Sequence, residues 1–317
     1  MGMAALRSAA EWSARFRAPR RPAVVTIGNF DGCHLGHQKI LRDVAERARR
    51  ANALAGVLTF FPHPARVLRP AEAPALLETL DQRLAAIDSC GIDAALVLPF
   101  DRELASMSAE DFAHRILVDT MAAQAVLVGG NFRFGHGGAG DVKLLVELGK
   151  RWRFTAEIVP PVSENGVVIS STAIRAAIRG GRAEDARRML GRPYALAGEI
   201  RTGTGQGRKL VVPTLNLATE QEVLPKNGVY ATEATVAGKT YRAATNVGMR
   251  PTFDGARITI ESYLFDFDEM LTSGTLEVRF WQRLRDERKF SGPAELKEQV
   301  LKDIERAKEF FQATNRT

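Results

Sequence analysis

The chain has 317 residues, 45% hydrophobic and 26% charged, which suits two soluble domains that each bury a core. No apolar run approaches the roughly 20 residues that span a bilayer, and the Arg-rich N-terminus lacks the apolar stretch and cleavage site of a secretory signal. The net charge is +7, but residues 1–30 hold five Arg and one Glu, so the rest carries only +3. That is too little for a groove tracking nucleic acid, but it suits small polyanions.

The N-terminal stretch reads as a short surface helix or a frayed arm. Cys33 and Cys90 show neither metal spacing nor a disulfide framework, as expected of a cytoplasmic protein. The sequence leaves the oligomeric state open.

VVTIG at 24–28 reads as a buried strand, followed by a helix from about Gly36 to Arg50. GVLTFF at 56–61 is the next strand. Ala94–Leu98 and Ala125–Gly129 are further short apolar runs separated by helical patterns, and Ser108 with Asp111 signals a helix start. This alternation predicts a parallel α/β sheet with ligands at the carboxyl ends of its strands. The pattern changes near Gly191-Arg192-Pro193. Strand-like runs follow at Tyr194–Ile200, Val211–Leu217, Val229–Val236, Tyr241–Val247, Ile258–Phe265 and Leu276–Leu284. They are too closely spaced for crossover helices, so an antiparallel sheet or small barrel is expected. An amphipathic helix from about Pro293 to Gln312 closes the chain. The domains are expected at 1–190 and 191–317.

The segment Gly28-Asn29-Phe30-Asp31-Gly32-Cys33-His34-Leu35-Gly36-His37 joins the first strand to the first helix. Its glycines permit a tight turn, and the helix start offers N–H groups and a positive dipole end to phosphate. His34 and His37 share a face of the first turn, where they can donate to phosphate oxygens as charge builds up. Cys33, next to the helix start, is expected to be a reactive thiol that a bound phosphate ligand protects. Further on, Ser170, Ser171 and Thr172 can cap a helix and present hydroxyls to an anion. Arg175 lies one turn in.

GNFDGCHLGH resembles the HxGH nucleotidyltransferase signature, in the longer form of the prokaryotic bifunctional riboflavin kinase/FAD synthetase family. FFPHP at 60–64, VGGNFRFGHGGAGD at 128–141 and ISSTAIR at 169–175 are similar to that family's later motifs, in order. The resemblance implies a Rossmann-like nucleotidyltransferase domain in which FMN attacks the α-phosphorus of ATP and pyrophosphate leaves. It implies catalytic roles for His34 and His37. Gly28, Asn29, Phe30, Asp31, Asn131, Ser170, Ser171, Thr172 and Arg175 would bind nucleotide.

The second half resembles the riboflavin kinase module of the same family, a mainly antiparallel β-barrel with a C-terminal helix. GRPYALAGEI at 191–200 matches its opening. Gly205 and Gly207 lie in a glycine-rich loop that can offer N–H groups to nucleotide phosphates. In Pro213-Thr214-Leu215-Asn216, Thr214 and Asn216 share a strand face and offer oxygens of the kind Mg²⁺ prefers. The resemblance makes them the metal site. PKNGVYA, NVGMRPTF, IESYLFDFD and RLRDERKF continue the match, and Glu261 falls on the catalytic glutamate, a sensible base for the ribityl hydroxyl. Both transfers are expected to use ATP and Mg²⁺, with riboflavin, FMN and FAD as substrates and products. There are departures. Cys33 replaces an apolar residue, Val211 stands where a glycine is usual, and Thr272-Ser273-Gly274 replaces another turn. Two alternatives stand beside this reading. One is an FMN adenylyltransferase with a kinase-inactive flavin-binding module. The other, more remote, is a basic nucleic-acid-binding protein, which leaves the HxGH and SSTxIR motifs unexplained. No nucleic-acid or membrane partner is expected.

Overall fold

Short apolar runs become strands wherever both faces are buried. In the computed structural model, which describes residues 2–16, 21–164, 166–201, 214–252, 255–269 and 271–314, every residue of β2 (Ala23–Ile27) is buried. So is most of β3 (Leu54–Phe61). With β1 (Ala4–Leu6), β4 (Ala94–Pro99), β5 (Ala123–Gly129) and β6 (Thr155–Val159), they form a six-stranded sheet in the order β1-β4-β3-β2-β5-β6. All its pairs are parallel. One apolar cluster gathers Val25, Leu58, Leu96 and Val126, and a second gathers Val24, Val57, Val97 and Leu127. Alternate side chains thus feed two cores, as expected of a sheet covered on both faces.

The helices are α1 (Ala9–Phe16), α2 (Leu35–Arg50), α3 (Pro64–Leu68), α4 (Leu80–Asp88), α5 (Arg102–Ser106), α6 (Ala109–Phe112) and α7 (Val142–Trp152). Ser108 caps α6, accepting from the Asp111 N–H at 3.0 Å while its hydroxyl donates to the Asp111 carboxylate at 2.6 Å. Strand order reverses at β2, with β3 on one side and β5 on the other. The crevice outside their carboxyl ends is where such sheets bind ligands.

Two elements differ from the sequence reading. The N-terminal stretch is no frayed arm. β1 pairs with β4, and α1 inserts Trp12, 1% exposed, into the core. β6 was not anticipated, because Thr155 and Glu157 break its apolar pattern. As an edge strand it turns them outward, where Glu157 pairs with Arg47.

The chain divides into compact units Met1–Ser170 and Ser171–Thr317. The first also holds a small hairpin of β7 (Ser163–Glu164) and β8 (Val167–Val168). The second opens with α8 (Ser171–Arg179) and α9 (Ala183–Leu190), and α9 packs on strands of the barrel that follows. The sequence reading put this helical pair with the first half.

The barrel is closed, in the order β10-β13-β12-β11-β14-β9. Its strands are β9 (Tyr194–Arg201), β10 (Leu215–Ala218), β11 (Gly228–Val236), β12 (Lys239–Thr252), β13 (Gly255–Leu264) and β14 (Thr275–Arg285). Every pair is antiparallel, so closure leaves no free edge. α10 (Pro293–Thr314) lays Ile304, Ala307 and Phe311 against Ala231 and Ala244. It is pinned by a forked ion pair from Arg285 to Asp303 at 2.7–3.0 Å.

Candidate active sites

The first site begins where β2 ends. Phe30 (φ 52°), Gly32 (φ 82°) and Cys33 (φ 34°) all take left-handed backbone, so the loop holds two non-glycine residues in an unfavourable region. Such strain costs about 1–3 kcal/mol per residue and persists only where packing over-determines it. Here Phe30 and Cys33 are buried in the second core, Cys33 N–H donates to Phe30 C=O at 2.9 Å, and Gln38 Nε2 donates to Cys33 C=O at 2.9 Å.

The loop delivers His34 to the N-cap of α2, where Nδ1 accepts from the His37 N–H at 3.3 Å. With Nδ1 accepting, the ring proton lies on Nε2, which makes that nitrogen a donor. The His34 and His37 rings stack, with centroids 3.7 Å apart and planes at 17°. Phe30 meets His37 edge-on at 5.2 Å. Burial, then the neighbouring His34, then Arg83 hold His37 well below the usual histidine value. It is therefore neutral at pH 7, and its buried Nδ1 finds no hydrogen-bond partner among the described residues. Asp31 is turned inward, and its carboxylate accepts from the Leu77 N–H at 3.0 and 3.2 Å.

Beside the loop, at the crevice, lies a pocket of about 1060 Å³. Gly28 and Asn29, just after β2, and Asn131, just after β5, line it. Its apolar walls include Phe60, Phe100, Phe132 and Phe134, and Arg69, Arg102 and Arg133 add positive charge. Phe60 and Phe100 meet edge-on at 5.6 Å, and Phe132 stacks on Phe134 at 5.4 Å. The wall depends on Gly135 (φ 73°). A Cβ there would stand 2.5 Å from the Ala109 backbone, so only glycine lets this loop approach α6. Ser170 ends the first unit; Ser171 and Thr172 open α8 in the second, and Arg175 follows one turn in. Ser171 and Arg175 are half-buried and Thr172 is exposed.

The expected reactivity of Cys33 needs correction. Its side chain is 0% exposed among Val24, Leu41 and Val44. The thiol serves as a small core residue, and a helix N-terminus cannot activate what reagents do not reach. A thiol alkylator is therefore expected to leave native Cys33 unmodified and FAD formation intact, with labelling only after denaturation. Peptide mass spectrometry of the native, treated chain checks this.

The second site is on the barrel. Glu261 on β13 lies directly opposite Asn216 on β10 and Asn246 on β12. Directly opposed residues share a face, so three half-buried polar side chains stand in one row. Ala244 and Tyr263 share that outer face under α10. The inner face carries a chain of buried hydroxyls: Thr232 to Thr245 at 2.7 Å and Thr245 to Ser262 at 2.8 Å. Thr232 also donates to the Ala243 carbonyl at 3.3 Å. This network fixes register, and a one-residue slip would turn Glu261 inward.

Thr214 precedes β10 and is exposed. Sequence reasoning missed Asn246 and Glu287 as site residues, although both lie in segments it singled out. Asn227 Nδ2 donates to Glu287 at 3.0 Å, and a Cβ on Gly248 would stand 2.6 Å from Glu287 Oε1. Gly248 thus admits a second carboxylate beside Asn246. Gly205, Gly207 and Val211 lie outside the described residues.

Comparison with known proteins finds a separate family match in each half of the chain. Residues 17–173 match the FAD synthetase family and residues 190–311 match the riboflavin kinase family. A bifunctional riboflavin kinase/FMN adenylyltransferase of Escherichia coli is 36% identical, over 94% of this chain and 96% of the relative. One from Haemophilus influenzae is 35% identical, over 90% and 94%. A solved structure from Streptococcus pneumoniae, described as a macrolide-efflux protein, superposes with a TM-score of 0.82 at 29% identity, covering 90% of this chain and 94% of that one. Among the described residues of this chain, no helix is long and apolar enough to cross a membrane. With both halves matched in order and relatives aligned almost end to end, this chain belongs to the bifunctional riboflavin kinase/FMN adenylyltransferase family.

Proposed function

We propose that this chain phosphorylates riboflavin to FMN with one ATP and adenylylates FMN to FAD with a second, and that it acts in the cytoplasm, where ATP is abundant. The observation that carries this reading is the pairing of two different sites on one chain. One is a stacked histidine pair at a helix N-terminus beside an aromatic pocket. The other is a carboxylate flanked by two amides on a separate barrel.

In the adenylyl transfer, a phosphate oxygen of FMN bonds to the α-phosphorus of ATP, the bond to the β-phosphate bridge breaks, and pyrophosphate leaves. The protein positions and stabilises rather than reacting covalently. Nε2 of His34 and the neutral ring of His37 donate to the charge that grows on phosphate oxygens. The phenylalanine-walled pocket accepts the flat flavin ring, and its arginines favour the phosphorylated flavin. Gly28, Asn29 and Asn131 line that pocket, while Phe30 and Asp31 hold the loop's shape. The motif of Ser170, Ser171, Thr172 and Arg175 offers hydroxyls and a guanidinium suited to phosphate. Functionally, 1–190 is the adenylyltransferase module and 191–317 the kinase module.

In the kinase step, Glu261 takes the proton of the ribityl 5′-hydroxyl as that oxygen bonds to the γ-phosphorus and ADP leaves. Thr214 and Asn216 offer a hydroxyl and an amide oxygen, with Glu261 opposite Asn216. This hard-oxygen set suits Mg²⁺, which Thr214 and Asn216 would hold together with ATP phosphates. Bound there with ATP, Mg²⁺ supplies charge screening for the γ-phosphate. Thr214→Ala and Asn216→Ala are expected to slow FMN formation by about 10–100-fold, the worth of a contact to a charged group. Conversion of supplied FMN to FAD should continue; an unchanged kinase rate would remove these residues from the metal site.

The whole reading is tested by incubating pure protein with riboflavin, ATP and Mg²⁺ and separating flavins by chromatography. FMN should appear first and FAD after it. FAD from supplied FMN with nothing from riboflavin would leave an adenylyltransferase alone.

A further inference from the structure

The row of Asn216, Glu261 and Asn246 has a second rung beside it. On β12, Gly248 lies two residues beyond Asn246. On β13, Thr259 lies two residues before Glu261 and directly opposite Gly248. Residues two apart in a strand share a face, so this rung lies about 7 Å along the same face as Glu261. Gly248 contributes no side chain to it. Glu287, just beyond β14, fills the place. Its Oε1 stands 2.6 Å from where a Gly248 Cβ would be, and Asn246 Nδ2 stands 3.1 Å from that same point. The other oxygen, Oε2, accepts from Asn227 Nδ2 at 3.0 Å, which holds the carboxylate in position. A methyl group on residue 248 would push the carboxylate aside, so glycine keeps it on the sheet. Thr259 adds a hydroxyl, which donates to the Gly248 carbonyl at 3.5 Å. Strand order decides what each side of Glu261 meets. The order is β10-β13-β12, so Asn216 flanks Glu261 from β10 and the Glu287 carboxylate lies on the β12 side.

We propose that Glu287 is a specificity-determining residue of the kinase site, accepting hydrogen bonds from the ribityl hydroxyls next to the one that is phosphorylated. The proposal rests on reading Glu261 as the base for the 5′-hydroxyl. With Thr214 and Asn216 assigned to metal and ATP, the β10 side of Glu261 is taken, and the rest of the acceptor chain extends toward β12. That chain is a polyol, with a hydroxyl on each carbon after the reactive one. A carboxylate accepts at both oxygens and donates at neither, which suits a row of hydroxyl donors. One rung from the base, it senses whether the chain carries them. A substrate lacking the hydroxyl would leave the carboxylate unpaired at the cost of its lost water.

The test uses the full chain with Glu287→Ala, Glu287→Gln and Gly248→Ala, the last displacing the carboxylate without removing it. Phosphorylation is measured with riboflavin, 4′-deoxyriboflavin and 3′-deoxyriboflavin, and the urea midpoint of each variant checks folding. A hydrogen bond to a charged group is worth about 10–100-fold, so Glu287→Ala should raise KM for riboflavin by about that factor, with KM for ATP little changed. Glu287→Gln keeps an acceptor and the Asn227 contact, so its loss should be about 10-fold at most. In the wild type at least one deoxy analogue should be poorer than riboflavin by about 10–100-fold. In Glu287→Ala that preference should shrink to about twofold, the range within which uncoupled changes add. Gly248→Ala should lose the preference in the same way. A residue that only braces the barrel would impair all three substrates alike. The proposal is overturned if Glu287→Ala keeps the wild-type preference, if the wild type does not distinguish riboflavin from either analogue, or if the defect lies in KM for ATP or Mg²⁺. Failure of the underlying reading looks different: Glu261→Gln would then phosphorylate riboflavin at the wild-type rate.

Discussion

Replacing His34 with alanine is expected to lower FMN-to-FAD turnover by about 10²–10³-fold, the loss that follows removal of one transition-state donor. Riboflavin should still be phosphorylated, so FMN accumulates. The expectation rests on the ring's geometry. Nδ1 is occupied by the His37 N–H, which leaves Nε2 as the donor, and stacking at 3.7 Å holds the ring still. The same hydrogen bond caps α2, so alanine also costs about 1 kcal/mol of stability. Asparagine separates the two roles, because it caps a helix well but has no imidazole. His34→Asn should restore the urea midpoint without restoring FAD formation. Full recovery of FAD formation by asparagine would reduce His34 to a cap.

Glu261→Gln should produce the opposite chromatogram. Glutamine keeps the shape and the row with Asn216 and Asn246 but cannot take a proton at the working pH. General bases contribute about 10²–10⁴-fold, so riboflavin should remain largely unphosphorylated while supplied FMN is still converted to FAD. The hydroxyl chain Thr232–Thr245–Ser262 lies on the other face and is untouched, so thermal stability should hold. If the His34 and Glu261 variants each lose both reactions while folded, the two modules depend on one another. The assignment of one reaction to each half would then fall.

Much of the fold was legible because its signals are local. VVTIG and GVLTFF read as buried strands from composition alone, and they are two of the interior strands of the sheet. The six barrel strands were visible as apolar runs broken by Gly, Pro, Asn and Asp, although Val211–Pro213 lie outside the described residues. The short N-terminal helix was among the expectations, but β1 and the burial of Trp12 were missed because the stretch is Arg-rich and Trp12 is its one decisive residue. β6 was missed because an edge strand need not be apolar.

The sequence by itself determined the residue types of both sites: a histidine pair three apart, a hydroxyl-rich turn followed by Arg175, and Thr214, Asn216 and Glu261 in order. Such spacings are set within one turn or one strand, where helix and strand periods alone decide which side chains share a face. Only the tertiary structure decided what stands across from them. Asn246 meets Glu261 through a strand register held by buried hydroxyls, and Cys33 becomes inert because the core closes over it. The burial of Arg83 on α4, beside the Phe60 carbonyl, follows from where α4 docks, and long-range packing of that kind leaves no local signature.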